Sequence, residues 1–431
     1  LTTPEIHTKN LTSKYAFFHL LSVILSLVQV LFCAFYYIEF IVIFVNLYIN
    51  GGNMKEIELI ATAAAGVESV VKHEVKKLGF KDITVDNGKI MFKGDISSIP
   101  RANLWLRSAD RVLLKMGEFE ALTFEELFDK TYALPWDQWI TSDGKFTALG
   151  KSVKSKLFSI SDCQAIVKKA VVEKLKSKYH VEWFEESGPE YTIQVALHKD
   201  IATLTIDTSG TALHKRGYRA KNVEAPIKET LASAMILISY WNKRKPLWDC
   251  FCGSGTIPIE AALIGRNIAP GLNRTFASEE WPAIGKDIWK QERALALRAI
   301  DHDIKLKIYG SDINPDAIEL AKENACLAGV DDCIEFFVSD FRNVNIKEDY
   351  GVIICNPPYG ERIGEQQEVE TINKDMGKTF SKYDTWSKYI ITPFENFERL
   401  YGKKADKKRK FYNGNIKVDY YQYFGPKPTN T

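Results

Sequence analysis

The sequence predicts an α/β protein. A split β-α-β-β-α-β unit comes first, a second α/β unit follows, and a parallel sheet of the nucleotide-binding kind closes the chain. Three observations carry this reading. Residues 56–116 alternate strand and helix signals in the split order. Residues 246–264 read as a strand, a Gly-rich turn and a helix. The apolar run Tyr350-Gly351-Val352-Ile353-Ile354-Cys355 is short and β-branched like a buried parallel strand, and it ends on Asn356-Pro357-Pro358-Tyr359.

With 431 residues and 45% hydrophobic content, the chain can form two or three cored domains. A net charge of +2 does not mark a nucleic-acid binder in bulk, so any basic surface is local. Cys33, Cys163, Cys250, Cys252, Cys326, Cys333 and Cys355 form no C-x-x-C pair and have no His at zinc spacing. They read as reduced thiols in a cytoplasmic protein without a metal site.

Residues 1–53 do not match the rest. No charged residue occurs from Leu20 to Ile38, and the apolar run continues past Glu39 to Val45. Such a run is long enough to span a membrane. It lacks the basic segment and small-residue cleavage site of a signal peptide. The first methionine is Met54, directly after Asn50-Gly51-Gly52-Asn53, and Gly-Gly before Met is what a purine-rich ribosome-binding site spells in frame. The expectation is that the functional protein starts at Met54 and that residues 1–53 are translated upstream sequence; a membrane anchor is the alternative.

Residues 54–120 supply the split unit. Glu56 to Thr62 alternates like a half-buried strand, and Val67 to Leu78 has helical spacing with Gly79 as its stop. Ile83 to Phe92 reads as a hairpin turning on Asn87-Gly88. A helix over Ile96 to Leu106 and a strand over Val112 to Met116 complete the ferredoxin-like order. In residues 121–219, Phe146 to Leu149 is a strand, Ser161 caps a helix reaching Lys178, and Tyr191 to Leu197 pairs with Ile201 to Asp207. Lysines crowd this unit, Lys151, Lys154, Lys156 and Lys168 among them, and a segregated basic face suits a phosphate backbone. A solvated helix face is the plainer reading. The run Gly150 to Ser159, with Asp162-Cys163-Gln164 and Lys168-Lys169-Ala170, resembles the THUMP domain of RNA-modifying enzymes. Asp207-Thr208-Ser209-Gly210 followed by Leu213-His214-Lys215-Arg216-Gly217-Tyr218-Arg219 is similar to the junction where that domain meets a methyltransferase.

Residues 220–431 form the cofactor half. A helix opens at Ala225-Pro226. Pro246 to Asp249 is a strand, Cys250-Phe251-Cys252-Gly253-Ser254-Gly255-Thr256 the turn, and Ile257 to Ile264 the next helix. The spacing is not Gly-x-Gly-x-x-Gly, which argues against a dinucleotide. For the insertion bearing Trp281 and Trp289, core packing and RNA contact both fit, with packing favoured. Ile308 to Asp312 is a strand ending in an acid placed to bind ribose hydroxyls, and Ile334 to Asp340 is the next. Either acid could serve only as a helix N-cap. Tyr389 to Thr392 reads as a fifth strand, and Arg409 to Val418 as a hairpin turning on Asn413-Gly414.

The chemistry sits at Asn356-Pro357-Pro358-Tyr359. Both prolines lack N–H, so the loop is rich in acceptors and poor in donors. An Asn side-chain carbonyl and the Pro357 carbonyl suit an exocyclic amine, and the Tyr offers a face for a base. An ordinary Pro-rich turn is the plainer reading.

Asp249-x-x-x-Gly253-x-Gly255-Thr256 resembles motif I of class I methyltransferases, with Cys250 in the usual Pro position. Asn356 to Tyr359, extended by Gly360-Glu361-Arg362, resembles the rRNA and tRNA guanine-N2 methyltransferases. Over residues 54–428 the chain is most similar to bacterial 23S rRNA guanine-N2 methyltransferases that carry a THUMP domain. The resemblance implies a Rossmann-like domain with a seven-stranded mixed sheet and S-adenosyl-L-methionine as cofactor. It implies cofactor contacts at Pro226, Glu229, Thr230, Asp249, Cys252, Gly253, Gly255, Thr256, Asp312 and Asp340, with Asp340 on the adenine amine. It further implies catalysis at Asn356, Pro357, Pro358 and Tyr359, and RNA contacts at Lys151, Lys154, Lys156, Lys168, Lys215, Arg216 and Arg219. The expected reaction is methylation of guanine N2 in 23S rRNA, with tRNA as the alternative. Guanine comes from the resemblance; the residues alone leave adenine open. A DNA amino-methyltransferase, a protein-glutamine methyltransferase and a non-catalytic ribosome-assembly factor are the rivals.

Overall fold

The computed structural model of the chain describes residues 56–219, 227–359, 366–414 and 416–428, so the expectations about residues 1–53 lie outside the described residues. Strand β1 (Ile57–Thr62), helix α1 (Glu68–Lys77), β2 (Lys81–Asp86), β3 (Lys89–Gly94), α2 (Ser98–Trp105) and β4 (Arg111–Glu120) follow the split order. Helix α1 buries Val70, Val71 and Val75 and stops before Gly79, whose φ of +87° suits only glycine comfortably. Gly88, at φ +69°, makes the tight turn between β2 and β3.

Next come α3 (Phe124–Tyr132), β5 (Lys145–Val153), α4 (Ile160–Tyr179), β6 (Glu190–His198) and β7 (Ile201–Asp207). The residue at the α4 cap is Ser159 rather than Ser161, which lies in the first turn. The strands of the two units join edge to edge. β4 runs past Met116 to Glu120, and a bulge between Lys115 and Gly117 lets it pair antiparallel with β7, from Leu113 opposite Asp207 to Glu120 opposite Ile201. One sheet results, ordered β2-β3-β1-β4-β7-β6-β5.

The second half contains α5 (Glu229–Ile238), β8 (Leu247–Asp249), α6 (Thr256–Gly265), α7 (Lys286–Arg298), β9 (Ile308–Asp312), α8 (Pro315–Ala328), β10 (Ile334–Val338) and β11 (Val352–Cys355). It ends with α9 (Gln366–Phe380), β12 (Ser387–Thr392), α10 (Phe397–Tyr401), β13 (Lys407–Asn413) and β14 (Ile416–Tyr423). The sheet order is β10-β9-β8-β11-β12-β14-β13. The first five strands are parallel, β14 runs antiparallel to them, and β13 at the edge pairs antiparallel with β14, giving the expected seven-stranded mixed sheet.

The insertion before β9 packs. Trp281 is 1% exposed, stacks on Tyr191 with ring centroids 4.9 Å apart, and donates to the Glu190 carbonyl. Trp289 stacks on Phe276 at 5.2 Å. At the junction between the halves, Asn103 donates to Thr208 Oγ1 and accepts from Ser209, whose hydroxyl also receives the Val112 N–H.

Arg216 corrects the expectation of an RNA-facing side chain. It is 3% exposed because its guanidinium faces the fully buried Glu260 at 3.4 Å and donates to the carbonyls of Leu213 and Arg107. Tyr218 Oη, at 3.1 Å, and the Ser233 hydroxyl also donate to Glu260. Removing the counter-charge leaves a buried carboxylate unpaired. Arg216→Ala is therefore expected to lower the unfolding free energy by about 3–5 kcal/mol, measured by urea denaturation; a loss under about 1 kcal/mol would put the pair in the class of exposed ones.

Candidate active site

β8, β9, β10 and β11 end side by side, at the edge where open α/β sheets bind ligands. β8 delivers Asp249 into the core, where its carboxylate accepts the Phe251 N–H at 3.2 Å. Burial pushes that carboxyl well above the usual range, and the nearby Asp312 adds to the effect. The turn that follows is held from β9: Cys252 N–H donates to the Ser311 carbonyl at 3.0 Å, and Gly253 N–H donates to Asp312 Oδ2 at 2.9 Å. From α8, Asn324 donates to the Ser254 carbonyl at 3.0 Å.

Glycine is required twice here, for different reasons. Gly253, at φ +50°, needs the left-handed backbone and faces open space. Gly255, at φ +83°, needs it too, and a Cβ there would lie 3.0 Å from Ala321 Cβ and 3.1 Å from the Phe336 ring.

Asp312 is not the cap of α8. Asn314 is, accepting the Asp316 N–H at 2.9 Å, while Asp312 Oδ1 takes the Asn314 N–H at 3.0 Å. Asp340 does cap: it accepts the Arg342 N–H at 2.9 Å and the Arg342 guanidinium at 2.6 Å, and Arg342 reaches on to Asp375 at 2.9 Å.

These groups surround a cavity of about 420 Å³ whose walls include Gly253, Asp312, Asp340, Phe341, Asn356 and Pro358. The Phe251 and Phe341 rings lie 5.0 Å apart beside it. Two carboxylates, a glycine floor and an aromatic edge suit a nucleoside: the acids accept hydroxyl or amine hydrogens, and the rings border a base. The acceptor loop brings Asn356 to the same cavity. Its Oδ1 already accepts the Tyr359 hydroxyl at 2.6 Å, a bond the stacking role assigned to Tyr359 did not include. Pro357 is buried and Pro358 exposed; Gly360, Glu361 and Arg362 lie outside the described residues.

The other expected cofactor residues are arranged around this centre. Cys250, not Cys252, lines the cavity; burial raises the Cys252 thiol well above its usual range. Thr256 is buried and accepts from Arg219 at 3.2 Å. Glu229 is ion-paired with Arg219 at 2.5 Å, and Thr230 donates to Asp110 at 3.4 Å. Pro226 lies outside the described residues. Lys151, Lys154, Lys156, Lys168 and Lys215 are exposed. Sequence reasoning missed Phe251, Phe341 and Arg342, although all three stand within two residues of a motif acid. It also missed Glu368 and Ile372, which α9 brings to the cavity from a separate element. Among the described residues no cluster of His, Cys, Asp or Glu is arranged to hold a metal, and no helix is long and apolar enough to cross a membrane.

Three family models match in series: an RlmL ferredoxin-like domain over residues 58–113, a THUMP domain over 121–207, and an RMKL-like methyltransferase domain over 216–422. A Bacillus subtilis (strain 168) protein, YpsC, named provisionally as an RNA methyltransferase, is 53% identical over 373 residues, which are 86% of this chain and 97% of that one. The chain belongs to the RMKL-like methyltransferase family. This RMKL-like methyltransferase is also 33% identical to the Ribosomal RNA large subunit methyltransferase K/L of Psychromonas ingrahamii, matching 82% of the present chain but only 48% of that longer protein.

Among solved structures, a Listeria monocytogenes protein described as a predicted N6-adenine-specific DNA methylase superposes with a TM-score of 0.84 at 50% identity, covering 88% of this chain and 99% of its own. SMU.472, named provisionally as a methyltransferase and solved with S-adenosylhomocysteine, gives 0.83 at 46% identity and covers 87% and 100%. The cofactor of the RMKL-like methyltransferase is S-adenosylmethionine. Gly255→Ala is expected to cost about 1–2 kcal/mol of stability from its backbone conformation. It should also weaken S-adenosylhomocysteine binding, measured by calorimetry on the folded variant; unchanged affinity would separate the turn from the cofactor.

Proposed function

We propose that this RMKL-like methyltransferase methylates the exocyclic N2 amine of a guanine in large-subunit ribosomal RNA. The observation that carries the proposal is that Asn356 and Pro358 share one cavity wall with Gly253, Asp312 and Asp340. An amine acceptor and a nucleoside-binding edge thus meet in one space.

When bound, S-adenosylmethionine supplies an electrophilic methyl on its sulfonium. Gly253, Asp312 and Asp340 are the residues to hold it, within the turn shaped by Asp249, Gly255 and Thr256. A guanine amine is a poor nucleophile because its lone pair is delocalised into the ring. Asn356 Oδ1 and the Pro357 carbonyl accept its two hydrogens and turn the lone pair outward. The amide oxygen has two lone pairs, so the Tyr359 hydroxyl holds one and leaves the other for the amine. With the cofactor in place, transfer of its methyl to the amine nitrogen would break the carbon–sulfur bond, leave S-adenosylhomocysteine and release one amine proton to water. Positioning and fixed dipoles carry the rate, and no strong base is needed.

RNA as the substrate is supported by the THUMP domain and its surface. Lys151, Lys154, Lys156 and Lys168 are exposed, and among the described residues none is ion-paired, whereas Lys145 is held by Glu190 at 2.9 Å. Phe158 stands among them 82% exposed, a flat face on which an unpaired base can stack. Ribosomal RNA and guanine are supported by the named K/L relatives and by the Asn-Pro-Pro-Tyr resemblance. One observation favours a second reading: the Listeria protein is described as an adenine-specific DNA methylase, and adenine also presents an exocyclic amine.

Nucleoside mass spectrometry on 23S, 16S, tRNA and DNA pools from cells lacking the gene decides between them. Loss of N2-methylguanosine from the 23S pool alone is expected; loss from tRNA would change the substrate, and no RNA change together with lost N6-methyladenine in DNA would replace the proposal. Asn356→Ala is expected to lower kcat by about 10²–10³-fold while cofactor affinity stays nearly intact, and equal loss of both would contradict the role given to Asn356. Tyr359→Phe keeps the ring and removes the hydroxyl, so it should lower kcat more than it raises KM.

A further inference from the structure

A second cleft, of about 340 Å³, opens at the start of α5 and is lined by His214, Lys215, Arg216, Arg219, Lys228 and Glu229. Its cations are not equivalent. Arg216 is neutralised by Glu260, and Arg219 by Glu229, the one acid in the lining among the described residues. Lys215 is exposed and Lys228 half-buried, and among the described residues neither is ion-paired. His214 reports the resulting field. Burial first, then Lys228, Arg216, Lys215 and Arg219, push it down to about 4, so at neutral pH it stays uncharged, with one ring nitrogen to donate and the other to accept. Asp110, the other acid near Lys228, does not line the cleft.

The frame that holds these side chains is rigid. Arg274 donates to the carbonyls of Ala212 at 2.7 Å and Lys215 at 3.0 Å, and also to that of Thr211. Arg216 takes the Leu213 carbonyl at 2.7 Å, and Leu213 N–H donates to the Asp110 carbonyl at 2.8 Å. Gly217, at φ +97°, lies where a Cβ would come within 2.6 Å of the Asn273 carbonyl. Lys215 and Lys228 line one cleft and both act on His214, and the mutual repulsion of like charges gathered there is relieved by an anion. The cleft also adjoins the cofactor turn, since Arg219 touches Thr256, the residue after Gly255.

We propose that Lys215 and Lys228, with His214 between the two halves of the chain, clamp one phosphodiester of the substrate backbone beside the cofactor turn. This rests on the reading of RNA as substrate. The anion chemistry has a second source, the carboxylate of the cofactor's methionine end, and the experiment separates the two.

The Lys215→Gln/Lys228→Gln double variant removes both charges and no mapped bond, so its unfolding midpoint serves as the control on folding. Binding of an unmodified 23S rRNA transcript is measured over a series of potassium chloride concentrations, and S-adenosylhomocysteine binding by calorimetry. The expected result is weaker RNA binding, a log–log salt slope smaller in magnitude by about 1, and unchanged S-adenosylhomocysteine affinity. Unchanged RNA affinity and slope would overturn the clamp. Loss of S-adenosylhomocysteine affinity with RNA binding intact would overturn it in favour of the cofactor carboxylate. Failure of the unsubstituted enzyme to bind or methylate RNA would instead remove the underlying substrate reading, and is distinguishable because it precedes any variant.

Discussion

Glu260 is the contact on which the arrangement of the two halves depends. It lies just past the first turn of α6, fully buried, and an isolated carboxylate there would be strongly unfavourable. Arg216 and Tyr218 from the connecting segment, and Ser233 from α5, meet that demand together. The connecting segment therefore has one place to lie. Because α6 starts at Thr256, the same anchor fixes the cofactor turn, and Arg219 ties the segment to Thr256 directly. Tyr218 shows how dry the place is: burial, with Glu260 and Glu229 nearby, holds its phenol well above the usual range.

Local signals made most of the second half legible. Short apolar runs mark β8 to β11, and Asn314-Pro315 marks the start of α8, because in these segments burial and turn chemistry agree with the final fold. What stayed hidden is non-local. The pairing of β4 with β7 joins residues about ninety positions apart and needs a bulge between Lys115 and Gly117 that alternation alone does not announce. Arg216 sits in a run of cations that reads as a surface patch, and only Glu260, from another element, shows that it is buried.

The site divides in the same way. Gly253, Gly255, Asp312 and Asn356 were legible because their chemistry needs particular residues at fixed offsets from strand ends. Glu229 was assigned to the cofactor on resemblance, and its partner Arg219 to RNA; the structure pairs them with each other. Neither side chain could have been placed without the other. The Tyr359–Asn356 bond spans three residues, and a phenol that close to an amide could have been weighed from sequence.

Preorganisation connects these details. Asp312 accepts from Asn314 in its own loop and from Gly253 in the neighbouring turn, and Asp340 accepts twice from Arg342, yet a carboxylate has about four acceptor positions. Both are therefore oriented before any ligand arrives and still have capacity for one. Asn356 is held in the same manner by Tyr359. A poor nucleophile gains most from acceptors that need not reorganise, since the cost of ordering them is met during folding. The seam around Glu260 extends that logic beyond the cavity. The segment that carries Lys215 and the turn that frames the cavity share one buried network, so both are held against one frame.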